Sequence, residues 1–257
     1  RVAQTLRGTE KNADEVVGKV MPRGGIATVE TVAVALAMAG GRPEYMPVLL
    51  GAMEAILAPE LGHDKFQATS GSTFPVIVVN GPIADEIRLN SGFGCLGPDP
   101  QKPAGAAIGR ALRLLLQNVG GALPGVGSMA IFGAMRYTNA VFAEDEAGLP
   151  DGWEPVNTHY LGHGPQSNSV TVFVATGAAN VMRRGVGKEE PYTEALQGLL
   201  RTASYLDTAN AHYPRSWLGG TPGALLIPRI VAQQLHANGW KTKQSVREFL
   251  WERVQFE

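Results

Sequence analysis

The chain has 257 residues, 44% of them apolar and 18% charged, with a formal net charge of −1 and one cysteine. That length buries a core of ordinary size, and the near-zero charge offers no basic field for nucleic acid or an anionic membrane surface. One cysteine forms no internal disulfide, so a reducing, cytoplasmic setting is the expectation.

No stretch reaches the roughly 18 consecutive apolar residues of a spanning helix. The opening "RVAQTLRGTEKNADEV" is charged and has no apolar h-region, so no signal peptide or anchor is expected in it. Thr28 can cap a helix in which Val29, Val32, Ala33, Leu36 and Ala37 recur at helical spacing. Val34 and Met38 make its other side apolar too, which predicts burial nearly all round. Gly40 and Gly41 end that helix. Pro43 suits the first turn of the next, whose inward stripe reads Met46, Leu49, Leu50, Met53 and Leu57.

"FPVIVVNGP" changes the period. Residues 76–79 form a short β-branched run closed by Asn80, Gly81 and Pro82, the pattern of a buried strand ending in a turn. A loop at such a strand end is a usual place for function. A short helical piece over 83–89 leads to the glycine-rich "NSGFGCLGP" and then to a helix within "PAGAAIGRALRLLLQNVGG". There Ile108, Ala111, Leu112, Leu115 and Val119 face one way, while Arg110, Arg113 and Gln117 share a cationic side. Strand-like pieces follow at 137–143 and 169–174, and the intervening "EDEAGLPDGWEP" is long enough for a lid. The last third returns to helix at Tyr192, Ala195, Leu196, Leu199 and Ala203. "GALLIP" reads as a short strand before a helix over 229–237, and a final helix passes through Val246, Phe249 and Leu250.

These elements predict an α/β fold, with a mixed or mostly parallel sheet and helices on both faces. The chain forms a single unit over 1–257 or two closely packed lobes, 1–120 and 128–257, divided in "VGGALPGVGS".

The glycine-rich stretch and the helix after it carry the leading site expectation. Glycine permits close backbone approach, and a helix start presents unpaired N–H groups, so an anionic group can dock there. Arg88 and Arg110 can add guanidinium donors, and Asn80, Gly81, Asn90, Ser91, Gly92 and Gly94 can line and orient the guest. The same glycines also suffice simply to turn the chain. Their spacing fits neither a phosphate-binding P-loop nor a dinucleotide fingerprint, so no cofactor is specified. Cys95 is more nucleophilic if a helix start or an arginine lowers its pKa, and is otherwise a small hydrophobe lining a wall. Tyr45, beside Glu44 in "RPEYMP", is a candidate for proton transfer if it borders the cavity. "ATSGST" offers hydroxyls but lacks the strand-to-helix elbow of a nucleophilic serine. His159 and His163 stand four apart, a metal-ligand spacing only on a helix; Thr158, Gly162, Gly164 and Pro165 predict strand and loop, so no metal is expected. His63, His212 and His236 read as structural.

"TVETVAVALAMAGGRPEYMPVLLGAMEAI", "VIVVNGP", "LNSGFGCLGP" with "AAIGRALRLLLQNVGG", and "GWKTKQSVREFLWE" resemble, in order, the bacterial UGSC-type (seleno)cysteine proteins. The family's namesake motif is absent from this chain. "FGAMRYTNAVFAEDEAG" also stands where a histidine-containing segment is expected. The resemblance therefore implies a subunit or lobe of a larger assembly as readily as a complete enzyme. The expectation is an oligomeric enzyme subunit of lyase or hydrolase type that binds a small carboxylate-type molecule beside residues 80–98. Cys95 and Tyr45 are its candidate catalytic groups. The alternatives are a noncatalytic partner shaping the cleft of a thiol-bearing companion subunit, and a small-molecule sensor.

Overall fold

An amino-terminal hairpin pairs β1 (Val16–Val20) with β2 (Gly25–Thr28) antiparallel, after a short α1 (Val2–Thr5). The computed structural model describes residues 1–131, 133, 135, 138–164, 166–175, 177 and 224–253, with side chains up to 249 in the last segment. α2 (Val29–Met38) starts at Thr28 as its sequence requires. The Thr28 hydroxyl accepts the Thr31 N–H at 3.3 Å, and the Thr28 N–H donates to the Thr31 hydroxyl at 2.8 Å, so two otherwise unpaired donors are satisfied. α2 is nevertheless not buried all round. Val34 is 37% and Met38 62% exposed, and both border an apolar groove of about 150 Å³ between α2 and α6 (Ala104–Asn118).

A 3₁₀ turn, Pro43–Tyr45, leads into α3 (Met46–Leu57). Met46, Leu49, Leu50 and Met53 are buried as expected; Ile56 completes the stripe, and Leu57 is only half-buried. After α4 (His63–Ala68), β3 (Phe74–Asn80) is buried at all seven positions. α5 (Ile83–Glu86), α6, β4 (Ala140–Ala143), α7 (Val156–Leu161) and β5 (Ser169–Ala175) follow.

The sheet order is β4-β3-β5, with β3 parallel to β4 and antiparallel to β5, so the fold is α/β with a mixed sheet. Strand alternation assigns two faces. Ile77, Val79, Val141, Val170 and Val172 look toward α3 and α6: Gly51 of α3 lies against Val170, and Gly105 and Gly109 of α6 lie against β4. The opposite face carries Phe74, Val76, Val78, Ala140 and Phe142, and what packs on it includes Cys95, Leu96 and Met135 from irregular segments. Among the described residues, helices thus cover one face and the glycine-rich stretch meets the other.

Several local expectations are corrected. Arg113 does not lie on a solvated cationic face: it is 1% exposed, and its Nη2 donates to the Ala122 carbonyl at 2.7 Å, tying down the turn after α6. β4 begins at Ala140 because Asn139 adopts a left-handed φ of 56°, which cannot continue a strand. The segment around His159 is helical, not strand and loop. Its first N–H donates to Glu144, its Asn157 side chain donates to the Ser167 carbonyl, and Gly162 at φ 68° ends it. Residues 224–228 form no strand, since no described neighbour offers a ladder to them. The helix expected through Tyr192 and Ala203, His212, Tyr137 and the Leu250 side chain lie outside the described residues.

The chain divides into two compact units, Arg1–Glu144 with Val156–Gly177, and Asp145–Pro155 with Ala178–Glu257. The 120–128 stretch, expected as a boundary between lobes, lies inside the first. There Gly120 and Gly121 approach Met21 and Arg23 too closely for a side chain. In the second unit, the stretch long enough for a lid contributes a core residue. Trp153 is buried with Leu235, Trp240 and Val246 of α8 (Arg229–Ala237), α9 (Lys243–Arg253) and their connection, and its Nε1 donates to the Trp240 carbonyl at 2.9 Å. Asp145 accepts two hydrogen bonds of 2.6 Å from Arg229. Among the described residues, no helix is long and apolar enough to cross a membrane.

Candidate functional site

The side chains on the face away from α3 and α6 change character along β3. At its start, Phe74 pairs with Ala175 and Val76 lies between Ala140 and Phe173. One step on, Val78 lies between Phe142 and Thr171, and at the carboxyl end Asn80 pairs with Ser169. Glu144 follows β4 directly, and its N–H donates to the Val79 carbonyl at 3.1 Å, which continues the parallel register. The result is a row Glu144, Asn80, Ser169 across three strands at the carboxyl ends of the parallel pair, where α/β sheets place ligands.

Asn80 is fully buried, and its Nδ2 donates to Glu144 Oε2 at 2.7 Å. The Val156 N–H donates to the same oxygen, also at 2.7 Å. Two donors thus fix the carboxylate beside the sheet edge, a geometry that holds a proton acceptor in one orientation. The Oγ of Ser169 and the Oγ1 of Thr171 are buried on this face.

Asn90 joins the glycine-rich stretch to this edge. Its carbonyl accepts the Ala143 N–H at 2.9 Å. Its side chain is consumed locally. Oδ1 accepts from the Gly92 N–H at 3.0 Å and from Lys102 Nζ at 3.3 Å, while Nδ2 donates to the Phe93 carbonyl at 2.9 Å and to Asp99 Oδ2 at 3.1 Å. The expectation had Asn90 orienting a guest; the structure makes it the tie that shapes the loop. Several loop amides are likewise engaged within the chain: Cys95 N–H to the Gly92 carbonyl, Gly97 N–H to the Gly94 carbonyl, and Gln101 N–H to Asp99 Oδ1. Asp99 therefore places an acid just before α6, while Lys102, half-buried, supplies the nearby cation.

The other candidates are scattered around this centre. Arg88 and Arg110 are exposed, with Arg88 at a left-handed φ of 56°. Ser91 is half-buried; Gly92 and Gly94 are exposed, Gly94 at φ 71°. Gly81, at φ 89°, is needed for close approach, since a Cβ there would meet Asn168 and the Ser167 carbonyl. Tyr45 is buried in the turn before α3, where Pro43 abuts Gly8, so it belongs to a different part of the unit. Cys95 packs on the apolar end of the face, and burial pushes its thiol above the ordinary range, against the ionised form a nucleophile needs. His159 and His163 do not share a helix, and among the described residues no group of three or more His, Cys, Asp or Glu is placed to hold a metal ion.

Sequence reasoning missed Glu144, Lys102, Ser169 and Thr171. Glu144 follows an apolar run and so carried a weak signal as an acid at a strand end, but it was absorbed into the acidic loop after it. The α2–α6 groove is lined by Val34, Met38, Leu115 and Val119 among others, with no ionisable group, and offers no chemistry. No family model matches this chain, and no curated protein or solved structure matches it either.

Proposed function

We propose that the chain is an enzyme subunit that binds a small carboxylate-bearing organic molecule at the Asn80–Glu144 edge, with lyase or hydrolase chemistry completed by a partner subunit or domain. The observation that carries this reading is the pair formed by buried Asn80 and half-buried Glu144 at the carboxyl ends of β3 and β4. A carboxylate held by two donors and adjoining a hydroxyl-bearing strand suits proton abstraction or water activation. Among the described residues, Lys102, held by Asn90 at the foot of the glycine-rich loop, is the cation of this cluster that pairs with a substrate carboxylate. Cys95 serves as a wall.

A second reading, a noncatalytic partner of a thiol-bearing companion, draws support from two features. Burial pushes the Cys95 thiol pKa above its ordinary value, and Phe93 at the tip of the loop is fully exposed. The resemblance to UGSC-type proteins is compatible with both.

The test is calorimetric binding and thermal shift of the full chain with propionate and butyrate. Binding that weakens about tenfold in Lys102→Met and persists in Glu144→Gln supports the carboxylate site. Binding unaffected by Lys102→Met, or no binding by either acid, removes it. Copurification of the natural complex followed by mass measurement separates the two readings: a stable companion bearing a thiol motif favours the second, and an active homomer defeats it.

A further inference from the structure

The hydroxyls of Ser169 and Thr171 are buried, yet neither has a hydrogen-bond partner among the described residues. They sit two residues apart on β5, so both project from one face, and the register sets them beside Asn80 and Val78 of β3. Thr171 stands in a row with Val78 and Phe142, neither of which carries a side-chain donor or acceptor. Buried hydroxyls are almost always satisfied, and two adjacent exceptions beside a candidate binding edge call for a complement that the described chain does not supply.

We infer that Ser169 and Thr171 form a hydroxyl-recognising subsite, so that the molecule bound at this edge is a hydroxy acid; the inference rests on the carboxylate reading above. The chemistry of the row selects the class. A serine or threonine hydroxyl both donates and accepts, and so does a ligand hydroxyl, so one group can satisfy both side chains at once. A second carboxylate on the ligand would lie in the row that already holds Glu144, where like charges repel. An alkyl group would leave both hydroxyls unpaired. A neutral hydroxyl is the complement that avoids both penalties.

The experiment compares matched acids, butyrate against 3-hydroxybutyrate and propionate against lactate, by calorimetry on the full chain and on the Ser169→Ala/Thr171→Val double variant. The wild type is expected to bind the hydroxylated member about tenfold more tightly. In the variant the ratio falls to near one, while affinity for the plain acid is retained. The ligand-free variant should also melt no lower than the wild type, because truncating an unpartnered hydroxyl removes no bond. Equal affinities in the wild type, a ratio that survives in the variant, or a variant that melts lower or fails to fold would each overturn the subsite. If neither member of a pair binds, the carboxylate reading falls and takes this inference with it, whereas binding of both without discrimination removes the subsite alone.

Discussion

His63 shows how one side chain couples protonation to structure. From the start of α4, its Nε2 accepts the Met21 N–H at 3.2 Å, which holds the turn of the β1–β2 hairpin. Only a neutral ring can accept at that nitrogen. Burial lowers the His63 pKa, partly offset by the charge of Asp64 and a hydrogen bond to the Lys19 backbone. The unfolded chain therefore takes up this proton first as pH falls below about 6.5, and stability is lost from there down through the folded-state pKa. Urea midpoints of wild type and His63→Gln, which keeps an acceptor but does not titrate, are expected to diverge between about pH 7.5 and pH 5, with the wild type losing more. Parallel loss in both proteins would show that the ring is not the source. Arg113 makes the complementary point. Its charge suggests solvent, yet a turn that folds back over α6 offers the Ala122 carbonyl and buries it. No pattern within α6 signals that.

At the scale of elements, α6 is positioned by two glycines rather than by its apolar stripe alone. A Cβ at Gly105 would run into the Val141 carbonyl, and one at Gly109 into the Thr138 carbonyl, so the helix lies directly on β4. Helix propensity by itself favours alanine over glycine by about 1 kcal/mol. Overpacking opposes it by a larger amount here, because the obstacle is backbone that cannot rotate away. Gly109→Ala is expected to lower unfolding free energy by about 2 kcal/mol in chemical denaturation. A neutral or stabilising result would mean that α6 stands further from the strand. β3, α2 and α3 were legible in the sequence because their signals are local: a continuous β-branched run, a capping threonine, and apolar residues at three- and four-residue spacing. The start of β4 and the helicity of α7 were not. The first is set by the left-handed Asn139, whose amide reaches the Gly109 carbonyl, and the second by hydrogen bonds to Glu144 and Ser167.

Across the whole molecule, the chain leaves its first unit after Glu144 and returns to it at Val156, and the excursion contributes the core tryptophan of the second. Trp153→Ala is expected to cost about 3–5 kcal/mol within that unit and to abolish amide-exchange protection in α8. Retained protection there would show that the core of the second unit closes without the insertion. In the sequence these eleven residues fall within the twelve-residue "EDEAGLPDGWEP", which is long enough for a lid, since its acids and turn formers report only that it is not a regular element.

The sequence by itself determined the α/β class, the main helices, the buried central strand and the position of the glycine-rich turn, all of which depend on residues within about four places of one another. Only the tertiary structure decided which groups meet. Asn80 and Glu144 are 64 residues apart, Ser169 is further still, and they form one row only through the register of three strands. Burial and hydrogen-bond partnership are properties of such distant pairings, which is why Arg113 could be read as a surface charge and Asn90 as a ligand group until the chain was folded.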